Sequence, residues 1–279
     1  MKNICSQARS FLFLPGDRLT RLEKALTSGA NMVVLDLEDA VAPDAKPTAR
    51  AAVLEQWASS DPASRARIAI RINAASTPWH KDDCDLVEAL AGGGLGGVVL
   101  AKAESTAPLI ELAQRVRGIP LLPLVESAEG LAALDLIAHA PGVARLLFGH
   151  LDFQLDLGLQ CDADERELDA VRLAIVMATR RANLPGPVDG VTINLKDEER
   201  LESDIRRSKR FGFTGKLCIH PDQVPTVNAS LGPTVAQVEW ARRVLSAARG
   251  QPAGAFQFEG AMVDAPVLVR ARSLLNHPL

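Results

Sequence analysis

The chain has 279 residues, of which 47% are hydrophobic, and its 31 basic and 34 acidic side chains give a formal net charge of −3. A chain of this size can bury one large core, and α/β barrels of this length commonly form one domain. The balanced charge and the absence of tyrosine argue against a nucleic-acid-binding protein. The sequence contains no apolar stretch long enough to cross a membrane.

The cysteine pattern and the N-terminal segment predict a cytoplasmic protein. The apolar patch at residues 11–14 is too short for the core of a signal peptide. The four cysteines are scattered and form no CxxC pair, at Cys5, Cys84, Cys161 and Cys218. This spacing indicates reduced thiols rather than a zinc site or a disulfide framework.

Short apolar runs alternate with longer amphipathic segments along most of the chain. The runs predict eight strands, at residues 11–14, 32–37, 68–72, 97–101, 121–125, 144–148, 188–193 and 216–219. The segments between them predict helices that include residues 18–28, 46–57, 82–91, 106–116, 165–182 and 198–211. This alternation indicates a parallel sheet covered by helices, and eight units favour a closed (β/α)8 TIM barrel. An open doubly wound sheet is the competing architecture.

The barrel is expected to occupy residues 1–230, and residues 231–279 are expected to form a C-terminal helical extension. Residues 235–248 have a helical pattern, so the extension has its own apolar face to bury. We expect it to pack at a subunit interface of a homo-oligomer, with a trimer favoured.

Polar residues follow every predicted strand. They include Asp17, Asp36, Glu38, Asp39, Arg71, Asn73, Lys102, Glu126, His150, Asp152, Asn194 and His220. Because the active sites of barrel enzymes lie at the carboxyl ends of the strands, this pattern is typical of a barrel enzyme.

Arg71 alternates with three isoleucines and is therefore expected to point into the barrel mouth. A guanidinium there suits bidentate capture of a substrate carboxylate. The alternative is a buried ion pair with Glu38 or Asp39. Glu38, Asp39 and Asp36 could hold Arg71 in the orientation that binds the substrate. Alternatively, they could form ion pairs with it that only stabilise the fold.

Glu126 and Asp152 come at the ends of neighbouring predicted strands, the fifth and the sixth. Two carboxylates brought together repel each other unless one is protonated or a cation lies between them. Mg²⁺ typically takes one or two carboxylates and completes its shell with water and substrate oxygens. The pair therefore predicts a Mg²⁺ site, and the alternative is that each residue caps the helix that follows it.

Lys102 is a candidate for a Schiff-base lysine. Such a lysine needs a lowered pKa, for which the sequence offers no support. A lysine that binds solvent or an anionic group is therefore the preferred interpretation.

The sequence resembles the citrate lyase β-subunit-like group of the HpcH/HpaI aldolase superfamily. The matching segments are SFLFLPGDR, VVLDLEDAV, AIRIN, LPLVESAEG, LLFGHLDFQLDLG, GKLCIHPDQV and FEGAMVDAPVLVRAR. The resemblance implies a TIM barrel in which Glu126 and Asp152 bind Mg²⁺, and in which Arg71 and Glu126 contact the substrate. It also implies that Asp264 is a catalytic acid/base, often supplied by a neighbouring subunit, and that the first and sixth segments hold a thioester carrier arm.

The function expected from this resemblance is Mg²⁺-dependent carbon–carbon bond cleavage in a short 3-hydroxydiacid thioester of the malyl-CoA or citramalyl-CoA type. The partner would be an acyl-CoA or an acyl-carrier thioester. The alternatives are a non-catalytic or partner-dependent subunit of a citrate lyase-like complex, and a Schiff-base aldolase that uses Lys102.

Overall fold

The computed structural model describes residues 4–250 and 254–275. Eight parallel strands close into one barrel in chain order, and β8 pairs back onto β1. The strands are β1 (Ser10–Pro15), β2 (Met32–Asp36), β3 (Ile68–Ile72), β4 (Gly97–Leu100), β5 (Leu121–Val125), β6 (Leu147–Phe148), β7 (Val188–Asp189) and β8 (Gly215–Cys218). The predicted (β/α)8 barrel is confirmed, and the open sheet is excluded.

Helices connect the strands. As far as residue 231, the helices are α1 (Ile4–Gln7), α2 (Leu22–Thr27), α3 (Lys46–Ser59), α4 (Pro62–Arg65), α5 (His80–Ala91), α6 (Ala107–Arg115), α7 (Ala128–Ala132), α8 (Leu134–Ala138), α9 (His150–Leu157), α10 (Asp169–Arg181), α11 (Glu198–Phe211) and α12 (Gln223–Leu231). Short 3₁₀ segments precede α2, α3 and α10. The short helices α4, α7, α8 and α9 do not stand out in the sequence because each offers little more than one or two turns of periodicity.

Strands β6 and β7 are shorter than predicted. After β7, side chains bond backbone groups that a longer ladder would use. The Asp189 carboxylate accepts a hydrogen bond from the backbone N–H of Gly190, and Nζ of Lys216 donates to the Gly190 carbonyl at 2.7 Å. Before β6, the chain pairs with Leu121 at a single bridge and then turns the Arg145 side chain into the protein. Both strands therefore keep only two residues.

Alternation along the strands separates an apolar barrel interior from a polar mouth. Side chains that include Phe11, Val34, Ala69, Leu122, Leu147 and Leu217 fill the interior. Two positions further along their strands, the same faces carry Asp36 and Arg71. The apolar side chains of the interior and the charged side chains of Asp36 and Arg71 are all buried. The buried charges therefore need partners of opposite charge or hydrogen bonds.

Arg145 closes the opposite end of the barrel. Its guanidinium is fully buried and donates to the carbonyls of Cys5, Ala8 and Gly186 and to the hydroxyl of Thr214, at 2.5–3.1 Å. Burial lowers the pKa of Arg145 to about 10, which still leaves it protonated at neutral pH. Its neutral oxygen partners therefore satisfy a buried cation and tie the N-terminal segment to the strands.

Residues 1–228 and 229–279 form two compact units. The second contains α13 (Val235–Ala248), an antiparallel hairpin of β9 (Phe256–Phe258) and β10 (Ala261–Val263), and α14 (Ala265–Leu275). Its core contains Ala241, Val244, Val263 and Ala271. The extension thus includes a hairpin that the sequence pattern did not predict, since its two strands have only three residues each.

Replacing Arg145 with methionine is expected to lower the free energy of unfolding by at least about 3 kcal/mol, because each buried acceptor left unpaired costs about 1–3 kcal/mol. Arg181→Met is the matched control. It removes an exposed arginine paired with Asp135, and such surface pairs contribute at most about 1 kcal/mol. Urea denaturation followed by circular dichroism measures both, and equal losses would contradict this role of Arg145.

Candidate active site

The mouth of the barrel holds a cavity of about 400 Å³. Its lining combines apolar side chains from the strands with half of the twelve polar residues named at the strand ends. Lining residues include Phe13, Asp36, Asp39, Arg71, Leu124, Glu126, Phe148, His150, Asp152 and Leu217. Residues that follow the strands therefore meet at one cavity, as the sequence pattern predicted. The size of this cavity suits a small organic ligand.

Arg71 is fixed by two acidic residues, one at the end of β2 and one in the segment that follows it. Its Nε and one terminal nitrogen donate to the two oxygens of Asp36 at 2.6 Å, and the other terminal nitrogen lies 2.8 Å from Glu38. The guanidinium also lies 4.8 Å from the centre of the Phe13 ring. Burial by itself would lower the pKa of Arg71, but the charges of Asp36 and Glu38 raise it, so the group stays protonated. Donor hydrogens remain beyond those that Asp36 uses.

Glu38 also binds Lys102, whose Nζ donates to it at 2.7 Å. Partial burial would lower the pKa of Lys102, yet the hydrogen bond and charge of Glu38 raise it overall. A Schiff-base lysine needs the opposite shift, so the structure argues against that role. Asp39, predicted alongside Glu38 as a support for Arg71, is instead more than half exposed and lies 3.9 Å from Nζ of Lys102.

Glu126 is almost completely buried at the end of β5. One carboxylate oxygen accepts a hydrogen bond from the backbone N–H of Lys102 at 2.8 Å, a residue with a left-handed φ of 46°. Burial raises the pKa of Glu126 to about 8, the charges of Glu38 and Asp152 add to this rise, and Arg71 opposes it. The helix-capping alternative fails here, because Ser127 and not Glu126 caps α7.

Asp152 lies in the first turn of α9 and lines the same cavity. Within residues 4–250 and 254–275 its carboxylate forms no hydrogen bond or ion pair. The structure therefore brings Glu126 and Asp152 to one cavity, as predicted from their strand ends. No set of three or more acidic, histidine or cysteine side chains with metal-binding geometry occurs in the described ranges.

The cavity contains more carboxylates than cations. Asp36 and Glu38 are matched by Arg71 and Lys102, and Asp39, which also lines the cavity, is more than half exposed to solvent. Glu126 and Asp152 remain, with a combined charge of −2 when both are ionised. A proton on Glu126, whose pKa burial raises to about 8, would remove part of this charge, and a divalent ion such as Mg²⁺ would neutralise it. Because Mg²⁺ commonly binds one or two protein carboxylates, the residues present fit a Mg²⁺ site.

Two glycines provide room for the buried polar side chains. A Cβ atom at Gly149 would collide with the carboxylate of Glu126, and a Cβ atom at Gly190 would collide with the imidazole of His150. His150 is 4% exposed, and burial lowers its pKa to about 4. His150 is only weakly indicated by the sequence pattern, because a lone histidine after a strand does not reveal whether it is buried.

A second polar cluster, which the sequence did not predict, includes the end of β7. Arg172 binds Glu165 at 2.5 Å and Asp189 at 3.4 Å, and Arg200 and Arg207 also reach Glu165. Its members come from β7, α10, α11 and the segment before α10. The cluster therefore ties β7 to the two helices and to the segment that contains Glu165.

Asp264 follows β10 in the C-terminal unit, where its carboxylate accepts a hydrogen bond from the backbone N–H of Val267 at 3.2 Å. It thus caps the start of α14. His220 lies after β8, is partly exposed, and its ring lies 3.4 Å from Asp222.

The HpcH/HpaI aldolase/citrate lyase family model matches residues 9–221. The chain belongs to this family. It is 37% identical to a citrate lyase subunit beta-like protein of Mycobacterium tuberculosis, over 98% of this chain and 97% of that one. It is 33% identical to a (3S)-malyl-CoA thioesterase of Cereibacter sphaeroides, over 96% and 93% of the two chains.

A solved structure of the M. tuberculosis protein CitE, in complex with magnesium, acetoacetate and coenzyme A, has the same fold. It superimposes with a TM-score of 0.81 at 36% identity and covers 98% of both chains. The resemblance to the citrate lyase β-subunit-like group is thereby confirmed. None of the helices in the described ranges is long and apolar enough to span a bilayer.

Gly149→Ala is expected to weaken Mg²⁺ binding at least about tenfold, because the added methyl group displaces the Glu126 carboxylate. Loss of the groups that orient a metal ligand typically lowers metal affinity by about 10–100-fold. Gly92→Ala is the control, since a Cβ atom there meets nothing within 4 Å. Isothermal titration calorimetry with Mg²⁺ measures both. Equal affinities in the two variants would contradict the placement of the ion at Glu126.

Proposed function

We propose that this protein is a Mg²⁺-dependent carbon–carbon lyase that acts on a short 3-hydroxydiacid thioester of the malyl-CoA or citramalyl-CoA type. The observation that carries the proposal is the unbalanced pair Glu126 and Asp152 in a cavity that also contains a firmly held Arg71. The magnesium and coenzyme A in the related CitE structure support the same assignment.

Glu126 and Asp152 would hold the Mg²⁺ ion. When bound, the ion would supply Lewis-acid polarisation of the substrate's carboxylate and of its hydroxyl oxygen. The buried position of Glu126 and its fixed hydrogen bond to Lys102 N–H keep this ligand in one orientation. Such preorganisation is what a metal site in an enzyme needs.

Arg71 would stabilise the negative charge that develops on the substrate oxygen. Its two hydrogen bonds to Asp36 fix the plane of the guanidinium, the ion pair with Glu38 adds to this support, and its remaining N–H groups would be available to the cavity. Preorganised donors in a site shielded from water contribute strongly to transition-state stabilisation. Glu38 would act indirectly, by positioning Arg71.

In the cleavage direction, the bond between the hydroxyl-bearing carbon and the thioester α-carbon breaks. The hydroxyl proton leaves through water to the solvent, a carbonyl forms, and the electron pair passes to the α-carbon. Asp264 would protonate that carbon to give acetyl-CoA, and would remove the same proton in the condensation direction. The other product is a short 2-oxo acid, glyoxylate from malyl-CoA or pyruvate from citramalyl-CoA.

The carrier arm of the thioester would bind beside β1 and β8. The segments SFLFLPGDR and GKLCIHPDQV contain these two strands, which are neighbours in the barrel. Both segments therefore end at the same side of the cavity mouth. An acyl-CoA and an acyl-carrier protein share this arm, so either could deliver the substrate.

Asp264 lies in the compact unit formed by residues 229–279. We propose that this extension packs at a subunit interface of a homotrimer and supplies Asp264 to the cavity of a neighbouring copy. A site completed by two copies would explain why an acid/base residue lies in a unit separate from the barrel.

Thioester hydrolysis is a second candidate, because relatives 33% identical over 96% of the chain are (3S)-malyl-CoA thioesterases. Cleavage of malyl-CoA gives acetyl-CoA and glyoxylate, whereas hydrolysis gives malate and free coenzyme A. A non-catalytic subunit of a citrate lyase-like complex would give neither product alone. Product analysis by mass spectrometry therefore separates the three functions.

Glu126→Gln and Asp152→Asn are each expected to lower the Mg²⁺-dependent rate with malyl-CoA or citramalyl-CoA by at least about 100-fold, since each removes a ligand charge. Lys102→Met is the control, and its rate should fall by less than about tenfold. The lysine side chain supports Arg71 only through Glu38, and the backbone N–H group that binds Glu126 is kept in this variant. Release of acetyl-CoA is measured with and without Mg²⁺. Equal loss in Lys102→Met, or borohydride trapping of substrate on Lys102, would contradict the proposal.

Mixing two inactive variants tests the shared site. Asp264→Asn should be inactive alone, as should Glu126→Gln. If the extension of one copy serves the barrel of another, mixed trimers should recover part of the acetyl-CoA release, because some cavities then contain both native residues. No recovery after verified subunit exchange would contradict a site that is completed by a neighbouring copy.

A further inference from the structure

His150 is a buried polar residue to which the proposed reaction assigns no role. It begins α9, and its ring packs against Gly190, where no side chain could fit. The ring centre of Phe148 lies 6.2 Å away. Its Nε2 atom is 3.7 Å from Glu165, beyond hydrogen-bond distance, and His150 donates no hydrogen bond within the described ranges.

His150 also lines a second cavity, of about 390 Å³. Its lining includes Gln154, Cys161, Thr192 and Ile193, none of which lines the first cavity. The two cavities share three lining residues, namely His150, Leu151 and Val191. Leu151 is 37% exposed and Val191 is partly buried, so His150 is the deeply buried residue of the three.

We propose that the side chain of His150 is the partition between the two cavities and that it limits the size of the acyl group. The assignment of that group as the 2-oxo acid portion of a thioester rests on the proposed function. With His150 in place, this portion must be as short as glyoxylate or pyruvate. Without it, an uncharged chain of several carbons would extend into the second cavity.

The chemistry of the second cavity determines which longer ligands it accepts. Its lining contains the carboxylates of Asp162, Glu165, Asp197 and Asp204. Glu165 and Asp204 are paired with arginines, which leaves Asp162 and Asp197 as negative charges without an arginine side chain as partner in the described ranges. A second carboxylate on the ligand would meet this negative charge, whereas a plain alkyl chain meets Leu151, Val191 and Ile193. The favoured extension is therefore apolar.

Binding of two 2-oxo monoacids to the Mg²⁺-loaded protein tests the partition. Pyruvate and 2-oxohexanoate have the same reacting end and charge and differ only in chain length. Calorimetry gives the ratio of their dissociation constants for wild type, His150→Ala, His150→Asn and Gln154→Ala. Gln154→Ala is the matched control, because it enlarges the second cavity and leaves the partition intact.

His150→Ala is expected to shift the ratio toward 2-oxohexanoate by at least about tenfold, the lower end of what one well-placed methylene contributes to discrimination. Gln154→Ala should leave the ratio unchanged. If His150→Ala does not fold, the shorter His150→Asn should shift the ratio in the same direction. An unmoved ratio, an equal shift in Gln154→Ala, or no binding of either acid would overturn the inference.

The binding test does not require bond cleavage. A protein that cleaves neither malyl-CoA nor citramalyl-CoA, but whose ratio moves as expected, would refute the proposed lyase and support the partition. A protein that cleaves either thioester, but whose ratio of dissociation constants does not change in His150→Ala, would support the proposed lyase and refute the partition.

Discussion

The ion pair between Arg71 and Asp36 is the interaction on which the rest of the site depends. Its two hydrogen bonds of 2.6 Å fix a guanidinium inside the barrel mouth, and Glu38 and Lys102 extend the pair into a balanced group of four charges. Because these four compensate one another, Glu126 and Asp152 are left without a cation. A buried carboxylate in that state favours a proton or a metal ion, and an enzyme can use the metal ion for chemistry.

Backbone positions without side chains make this arrangement possible. Gly149 leaves space for the Glu126 carboxylate, and Gly190 leaves space for the His150 ring. The left-handed backbone of Lys102 directs its N–H group to Glu126, while its side chain binds Glu38. One residue thus supports both the metal ligand and the charged group behind Arg71. The ends of β4, β6 and β7 therefore determine the shape of the cavity as much as its lining side chains do.

Much of the fold and part of the site could be predicted from the sequence. Period-two alternation places Arg71 on the inner face of β3, and the order of the strands brings Glu126 and Asp152 to one side of the barrel. Contacts between distant segments could not be predicted, because alternation says which face a side chain occupies but not what it meets there. The pairing of Arg71 with Asp36, the burial of His150 on Gly190 and the burial of Arg145 belong to this class.

The central claim is that a divalent cation compensates the charge of Glu126 and Asp152. Anomalous X-ray diffraction from crystals grown with Mn²⁺ in place of Mg²⁺ tests this claim most directly, because the signal locates the ion itself. The account predicts one anomalous peak per chain, within coordination distance of both carboxylates. The account would be contradicted if no peak occurs in the cavity at saturating Mn²⁺ and the Glu126 carboxylate keeps only its hydrogen bond from Lys102 N–H.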